Sequence, residues 1–169
     1  MKKIVLFVIS CLVSLNLLAQ SEAANWYFGF GGGIKFNQNN NTVSRVNDGQ
    51  LFTNEGCASI SDSSGNLLFY TDGSRVWNKN HTTMMNGLGL FGDSSSTQSA
   101  IIVPKPNDNN IYYIFTVDNN LDGSNFGLNY SEVDITLDGG LGAVTNKNTN
   151  LLQRCSEKIT AVLKDCITK

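Results

Sequence analysis

Alternating oxygen-bearing side chains in the segment DNNLDG match the first half of a calcium-binding loop. Asp118, Asn120 and Asp122 would supply ligand oxygens, and Gly123 would permit the sharp turn that such a loop needs. The twelfth position should carry a bidentate acid but holds Asn129, and no helical pattern flanks the segment. We therefore favour a plain inter-strand turn, keep calcium as the alternative, and expect no other metal or cofactor.

Two further patterns have residue types that occur in catalytic sites. Glu132 and Asp134 alternate along a predicted strand, so they share one face, as the paired acids of glycoside hydrolases can. His81 has no serine nearby in a nucleophile-elbow context. Exposed positions on an outer strand explain the two acids more simply, and we expect no enzymatic activity.

The glycine-rich run 28–33 (FGFGGG) contains neither GxGxxG nor Gly-Lys-Ser/Thr, and no helix pattern follows it. It predicts a bent strand or a bulge. Trp26, Tyr27, Trp77 and Tyr130 would stack on sugar rings if they were exposed, although large aromatic residues in strands usually pack in the core. A carbohydrate-binding module or a fragment of a glycoside hydrolase is therefore the alternative function.

The N-terminus has the three parts of a secretory signal peptide. Two lysines precede a mostly apolar run, 4–18, and small residues follow. The run is shorter than the roughly 18 to 20 residues of a transmembrane span. We predict a signal peptide over residues 1–23, cut between Ala19 and Ala24, with membrane contact only before cleavage. The exported product would lie in the periplasm, at the cell surface or outside the cell. A lipoprotein box ending at Cys11 is the alternative.

Charge and cysteine content exclude other classes. Only 15% of residues are Asp, Glu, Lys or Arg, the net charge is -2, and the basic residues are scattered, so nucleic-acid binding is not expected. The exported part holds Cys57, Cys155 and Cys166, an odd number that cannot be fully paired within one chain. Cys57 is interpreted as a buried small residue, whereas Cys155 and Cys166 could form a disulfide bond. The single histidine stands near no Cys-x-x-Cys pair, which excludes a Cys/His metal cluster.

The remainder of the sequence reads as strands separated by clusters of Gly, Asn, Asp and Ser. The predicted strands are 26–30, 56–61, 66–71, 74–78, 99–104, 111–118, 127–136 and 158–164. Three segments have a similar residue pattern and indicate an internal repeat. They are 55–61 (EGCASIS), 97–103 (TQSAIIV) and 157–163 (EKITAVL). A repeated unit of three or four antiparallel strands is typical of a β-propeller blade.

The sequence therefore predicts an all-β fold over residues 24–169, a partial β-propeller of two blades plus the first strand of a third. The units span about 55–96, 97–156 and the incomplete 157–169. Known propellers have at least about four blades, so we expect further strands beyond this chain. An antiparallel β-sandwich built from the same strands is the alternative fold.

Eight phrases carry a resemblance to a known family. They are 25–29 (NWYFG), 48–51 (DGQL), 55–58 (EGCA), 65–73 (GNLLFYTDG), 76–78 (VWN), 96–104 (STQSAIIVP), 111–118 (IYYIFTVD) and 129–134 (NYSEVD). Residues 25 to about 162 resemble the N-terminal, propeller-like region of large secreted surface proteins of gliding Bacteroidetes-type bacteria. Those proteins carry a C-terminal type IX secretion sorting domain and are described as gliding-motility-associated.

The resemblance implies an exported, non-enzymatic surface module for adhesion or scaffolding. Its ligand is unknown, with surface glycans or proteins as the expected partners, and the resemblance supplies no catalytic residues. The sequence departs from the family after Val162, where neither further blades nor a sorting domain follows. We therefore expect this chain to be a truncated copy of a larger type IX secreted protein.

Overall fold

The computed structural model describes residues 21–37, 39–119, 123 and 125–162. Most of the predicted signal peptide lies outside these residues, as do Asn120, Asp122 and Cys166. Strands dominate the described part, with short 3₁₀ turns at Ser21–Ala23 and Asp138–Gly140, so the all-β prediction is confirmed. The strands are β1 (Asn25–Phe28), β2 (Gly32–Asn37), β3 (Thr42–Val46), β4 (Ala58–Ser61), β5 (Leu67–Thr71), β6 (Arg75–Asn78), β7 (Thr83–Leu88), β8 (Ala100–Pro104), β9 (Ile111–Val117), β10 (Leu128–Asp134) and β11 (Ala143–Leu152).

The first three strands form an antiparallel sheet in the order β1-β2-β3, here called the N-terminal sheet. The prediction of a bent strand or a bulge at 28–33 is wrong, because β1 ends at Phe28 and the chain reverses direction before β2. Gly29 and Gly31 adopt positive φ angles of 61° and 75°, which glycine reaches without steric cost, and so the chain makes a hairpin between β1 and β2.

The next eight strands form two antiparallel meanders of four strands each. The first meander is β4-β5-β6-β7 and the second is β8-β9-β10-β11. A parallel pair, Met85 with Ala143, joins β7 to β11 and makes one eight-stranded sheet. At the opposite end the Gly56 N–H donates to the Ser96 carbonyl oxygen at 3.1 Å, so the sheet nearly closes on itself.

Two hydrophobic clusters lie on opposite faces of the first meander. The larger cluster fills the space between the two meanders and contains Phe69, Val76, Ile114 and Val133 among its fully buried members. The smaller cluster packs the first meander against the N-terminal sheet; its buried members are Tyr27, Leu51, Tyr70 and Trp77. The first meander is thus covered on both faces, whereas each outer sheet is covered on one.

Strands β2, β3, β7 and β11 were absent from the sequence prediction, and two of them, β3 and β11, expose most of their side chains. The β3 pattern is exposed at nearly every position, and β11 is mostly polar after its first two residues. Such strands bury too little on one face to produce the period-two alternation from which strands are predicted. These segments form strands because their backbone groups hydrogen-bond to a neighbouring strand.

The expected first strand of a third blade is wrong for the residues that the structure describes. Residues 158–162 belong to no strand, and Val162 is 88% exposed. The start of this segment still contacts the second meander, because the Gln98 N–H donates to the Glu157 carbonyl oxygen at 3.0 Å. β-Branched residues form a strand only where a neighbouring strand accepts their backbone hydrogen bonds.

Candidate functional site

Aspartates occupy equivalent corners of the two meanders. Asp62 and Asp108 follow β4 and β8, and each accepts the N–H of the residue two positions later, at 2.8 Å and 3.0 Å. Asp72 and Asp118 directly follow β5 and β9, and each lies ten residues after the first aspartate of its own meander. The Oδ1 atom of Asp72 accepts the N–H groups of Ser74 and Arg75 at 2.9 and 2.7 Å. These carboxylates act as turn caps, which is why Asp is favoured there.

Asp118, the first residue of the predicted calcium loop, is buried and holds its loop by both oxygens. Oδ1 accepts the Asn119 N–H and Oδ2 accepts the Phe126 N–H, each at 2.9 Å. The other two candidate ligands, Asn120 and Asp122, lie outside the described residues. Among the residues described, no cluster of three or more His, Cys, Asp or Glu side chains could hold a metal ion. Calcium binding stays a prediction.

Glu132 and Asp134 share the outer face of β10, as the sequence predicted, and both are partly exposed. Asp134 is engaged locally, because the hydroxyl and N–H of Thr136 donate to its Oδ1 at 2.7 and 2.9 Å. These hydrogen bonds lower the pKa of the Asp134 carboxyl. Asp134 therefore acts at this position as a turn-forming acceptor, a role the sequence analysis covered only as a polar strand position.

His81 lies in a polar cluster that sequence reasoning missed. Its Nδ1 is 3.1 Å from the Tyr70 hydroxyl, and its Nε2 is 3.4 Å from Oδ2 of Asp48. The Tyr27 hydroxyl donates to Oδ1 of Asp48 at 3.0 Å, and the Gln50 N–H donates to the Tyr70 hydroxyl at 3.1 Å. The cluster therefore ties the loop after β3 to the N-terminal sheet and to the first meander.

The His81 cluster pairs an imidazole with a carboxylate, as hydrolytic triads do, but places tyrosines where a triad has serine. Burial raises the pKa of Tyr70 to about 12. Burial, with the hydrogen bond and the charge of Asp48, also raises the pKa of Tyr27. In the folded chain both hydroxyls take part in hydrogen bonds, that of Tyr27 as donor to Asp48 and that of Tyr70 as acceptor from the Gln50 N–H. Sequence gave no signal for this cluster, since its members come from three distant segments.

The four aromatic residues proposed for sugar stacking separate into two groups. Tyr27 and Trp77 are each 5% exposed, and both stack on Tyr70, with ring centroids 4.7 and 5.5 Å from it. Trp26 and Tyr130 retain exposure but lie on different sheets. The four residues do not form one platform.

The outer face of the N-terminal sheet is apolar, and we call it the N-terminal face. Strand alternation and register place six side chains on it: Trp26, Phe28, Ile34, Phe36, Val43 and Arg45. Trp26, Phe28 and Val43 are 48%, 45% and 58% exposed. The Trp26 and Phe36 rings meet edge to face at 5.2 Å. This surface could not be found from sequence because β2 and β3 were not predicted.

The outer face of the second meander carries aromatic and acidic side chains, and we call it the C-terminal face. Its members include Ile101, Val103, Tyr113, Phe115, Tyr130, Glu132 and Asp134. Tyr113, Phe115 and Tyr130 form a cluster with ring centroids 5.7 to 6.2 Å apart, and all three are partly exposed. Lys105 places its Nζ 5.7 Å from the centroid of the Tyr113 ring.

The two described cysteines differ in surroundings. Cys57, which the sequence predicted to be buried in a strand, lies just before β4 and is partly buried. It packs against the smaller hydrophobic cluster, and its thiol donates to the Tyr27 carbonyl oxygen at 3.3 Å. Burial, and secondarily the charge of Asp72, raises the pKa of the Cys57 thiol. Cys155 follows β11 and is partly exposed. Its predicted bond to Cys166 involves a residue outside the described part.

Comparison with protein-family models, with curated proteins and with solved structures found no match for this chain. None of the helical segments in the described ranges has the length and hydrophobicity to cross a membrane.

Proposed function

We propose that this chain is an exported, non-enzymatic surface module for adhesion or scaffolding, built of propeller-type blades. The observation that carries the proposal is that the N-terminal face and the C-terminal face both present aromatic and aliphatic side chains to solvent. Most aspartates, by contrast, are engaged in turns. Exposed apolar patches on soluble proteins are typical of interaction sites.

The repeat supports the blade interpretation. Both meanders have four antiparallel strands, they pack face to face through one core, and their corner aspartates are equivalent. A backbone N–H near the start of each of the first two units also donates to a carbonyl oxygen at the boundary with the following unit. Gly56 donates to Ser96, and Gln98 donates to Glu157. A β-sandwich of the two meanders is the alternative fold, because the sheets of a sandwich also pack face to face over a shared core.

Export and membership of a larger type IX secreted protein rest on the N-terminal sequence and on the resemblance to gliding-associated surface proteins. Ser21 and Ala24 are 7% and 3% exposed, and the Ala24 carbonyl oxygen accepts the Phe36 N–H at 2.8 Å. Because these residues pack into the fold, we place signal cleavage before Ser21, at the early end of the predicted window.

The test uses the full chain with a C-terminal tag in a bacterial host that has a general secretory pathway. We expect to find the tag outside the cytoplasm. The intact mass should correspond to a mature chain that starts at Gln20 or at Ser21. A chain that keeps its N-terminus in the cytoplasm would contradict export.

Binding is tested with the exported product on an array of glycans and surface proteins. Binding to at least one class, without change in the ligand, supports the proposal. Release of reducing sugar from a bound glycan would instead support the glycoside hydrolase alternative, and variants of Glu132 would then identify the acid. Binding to no array member, together with an absence of self-association, would overturn the interaction function.

A further inference from the structure

We infer that the partner of the N-terminal face is the C-terminal face of a second copy of this chain, so that copies associate head to tail. The inference rests on the proposed interaction function and names its partner. The first meander buries both of its faces within the chain, whereas the N-terminal sheet and the second meander each leave one face open.

Both open faces carry exposed aromatic or aliphatic side chains, as do the faces of sheets that pack against each other. The N-terminal face exposes Trp26, Phe28 and Val43 to water at 45% or more, and the C-terminal face leaves Tyr113, Phe115 and Tyr130 partly exposed. Contact between these faces would remove both patches from water, as packing of sheets within the chain does.

Charge favours contact between unlike faces over contact between like faces. Arg45 is the ionised member of the N-terminal face, while the C-terminal face carries Glu132 and Asp134 with Lys105 at one side. Two N-terminal faces would oppose arginine to arginine, and two C-terminal faces would oppose carboxylates. Pairing one face with the other brings Arg45 to the acidic strand β10.

Such a contact is heterologous, since each copy contributes a different surface, and it can continue from copy to copy. A three-stranded sheet five residues long has a footprint of about 14 by 17 Å. The corresponding area, about 240 Å², is smaller than the roughly 800 Å² that each partner buries in a stable interface. We therefore expect reversible association that grows with concentration, rather than a permanent dimer.

The experiment is sedimentation velocity of the full chain over a concentration series. The key variants are Phe28→Asp on the N-terminal face and Tyr113→Asp on the C-terminal face, with Leu137→Asp, 41% exposed and on neither face, as the control. Wild type and the control should associate with increasing concentration. Each face variant alone should stay monomeric.

The mixture of the two face variants is decisive. Phe28→Asp keeps an intact C-terminal face and Tyr113→Asp keeps an intact N-terminal face, so a one-to-one mixture should form dimers that grow no further. Wild-type chains that stay monomeric, face variants that associate like wild type, or a mixture without dimers would each overturn the inference. Loss of association by one variant alone would also overturn it, because that result indicates contact between like faces.

A second pair of variants guards against misfolding of the first. Arg45→Glu and Glu132→Arg should each weaken association, and the double variant should regain it, because the charge pair is restored in reversed form. Circular dichroism melts confirm that each variant folds. If association fails while binding on the glycan and protein array persists, the self-association inference is wrong and the proposed interaction function stands.

Discussion

The Ser99 hydroxyl donates a 2.7 Å hydrogen bond to the carbonyl oxygen of Asp72, and both residues are buried. The bond joins the residue before β8 to the turn after β5, so it links the second meander to the first. Gly73 follows Asp72 with a φ angle of 90°, and a Cβ atom there would overlap Ser99 Oγ. The two meanders can approach this closely because residue 73 has no side chain.

Gly73→Ala should destabilise the fold more than a glycine replacement in open space. Gly89 is the matched control, since its φ is 73° and its added Cβ would meet nothing within 4 Å. We expect Gly89→Ala to lower the free energy of unfolding by about 1 to 2 kcal/mol through backbone strain. Gly73→Ala should lower it by a further ~1 to 3 kcal/mol through overpacking. Urea denaturation measures both, and equal losses would show that Ser99 moves aside freely.

Thr116→Val should leave stability unchanged or raise it, by up to about 1 kcal/mol. The Thr116 hydroxyl is buried and has no hydrogen-bond partner among the described residues. Thr71→Val is the contrast, because the Thr71 hydroxyl donates to the Arg75 carbonyl oxygen at 2.6 Å and accepts the Gly73 N–H at 2.9 Å. That change should cost about 1 to 3 kcal/mol. Thermal melts rank the two, and a larger loss for Thr116→Val would contradict the structure.

The corner aspartates should tolerate loss of charge but not loss of their oxygen acceptor. In Asp72→Asn the amide oxygen still accepts the N–H groups of Ser74 and Arg75, whereas Asp72→Ala leaves these donors without that partner. We expect Asp72→Ala to lower the free energy of unfolding by about 1 to 2 kcal/mol more than Asp72→Asn does. Chemical denaturation at neutral pH measures the difference. Equal effects would mean that the negative charge itself is what stabilises the turn.

Stability should fall in strongly alkaline solution because of the tyrosines in the His81 cluster. The folded pKa of Tyr70 is about 12, above its ordinary value of 10.0, so the unfolded chain loses this proton first. The contribution of Tyr70 is therefore complete below pH 10 and is lost between about pH 10 and 12. Tyr27, whose pKa is also raised, adds to the same slope.

Tyr70→Phe and Tyr27→Phe should each flatten the dependence of unfolding free energy on pH in this window, and the double variant should flatten it further. The slope is the informative quantity, since loss of the hydroxyl hydrogen bonds shifts stability at every pH. Denaturant titrations from pH 8 upward provide it. A slope identical to that of wild type in both variants would show that other groups control alkaline unfolding.

Sequence pattern located the strands that consist mainly of apolar runs and missed four others, although β7 and β11 contribute Met84 and Val144 to the larger cluster. Strands β5 and β9 were predicted within a residue of their bounds because Phe69 and Ile114 belong to apolar runs flanked by turn residues. The polar strands β3 and β11 gave no such signal. Residues 158–162 show the opposite error, since a β-branched run predicts a strand only where a neighbour exists to pair with it.

The candidate sites were harder to predict than the strands, because their members meet only in the folded chain. His81, Asp48 and Tyr27 come from segments that no local pattern connects. Sequence reasoning therefore considered His81 only as part of a serine triad or of a Cys/His metal cluster. The shared face of Glu132 and Asp134 was predicted correctly, since alternation along one strand fixes it. The hydrogen bonds that engage Asp134 depend on the following turn and were not predicted.

The junction between β7 and β11 consists of one strand pair supplemented by side chains. Lys147 Nζ donates to the Leu88 carbonyl oxygen at 2.8 Å and to Oδ1 of Asn86 at 3.0 Å, and Asn148 bonds both Phe91 and Gly89. A force that pulls the two meanders apart would therefore be resisted at this junction by a few side-chain hydrogen bonds, which can break one after another. A continuous set of strand-to-strand hydrogen bonds would instead have to break together. The molecule would yield at this line first, opening like a hinge while each meander keeps its own strands paired.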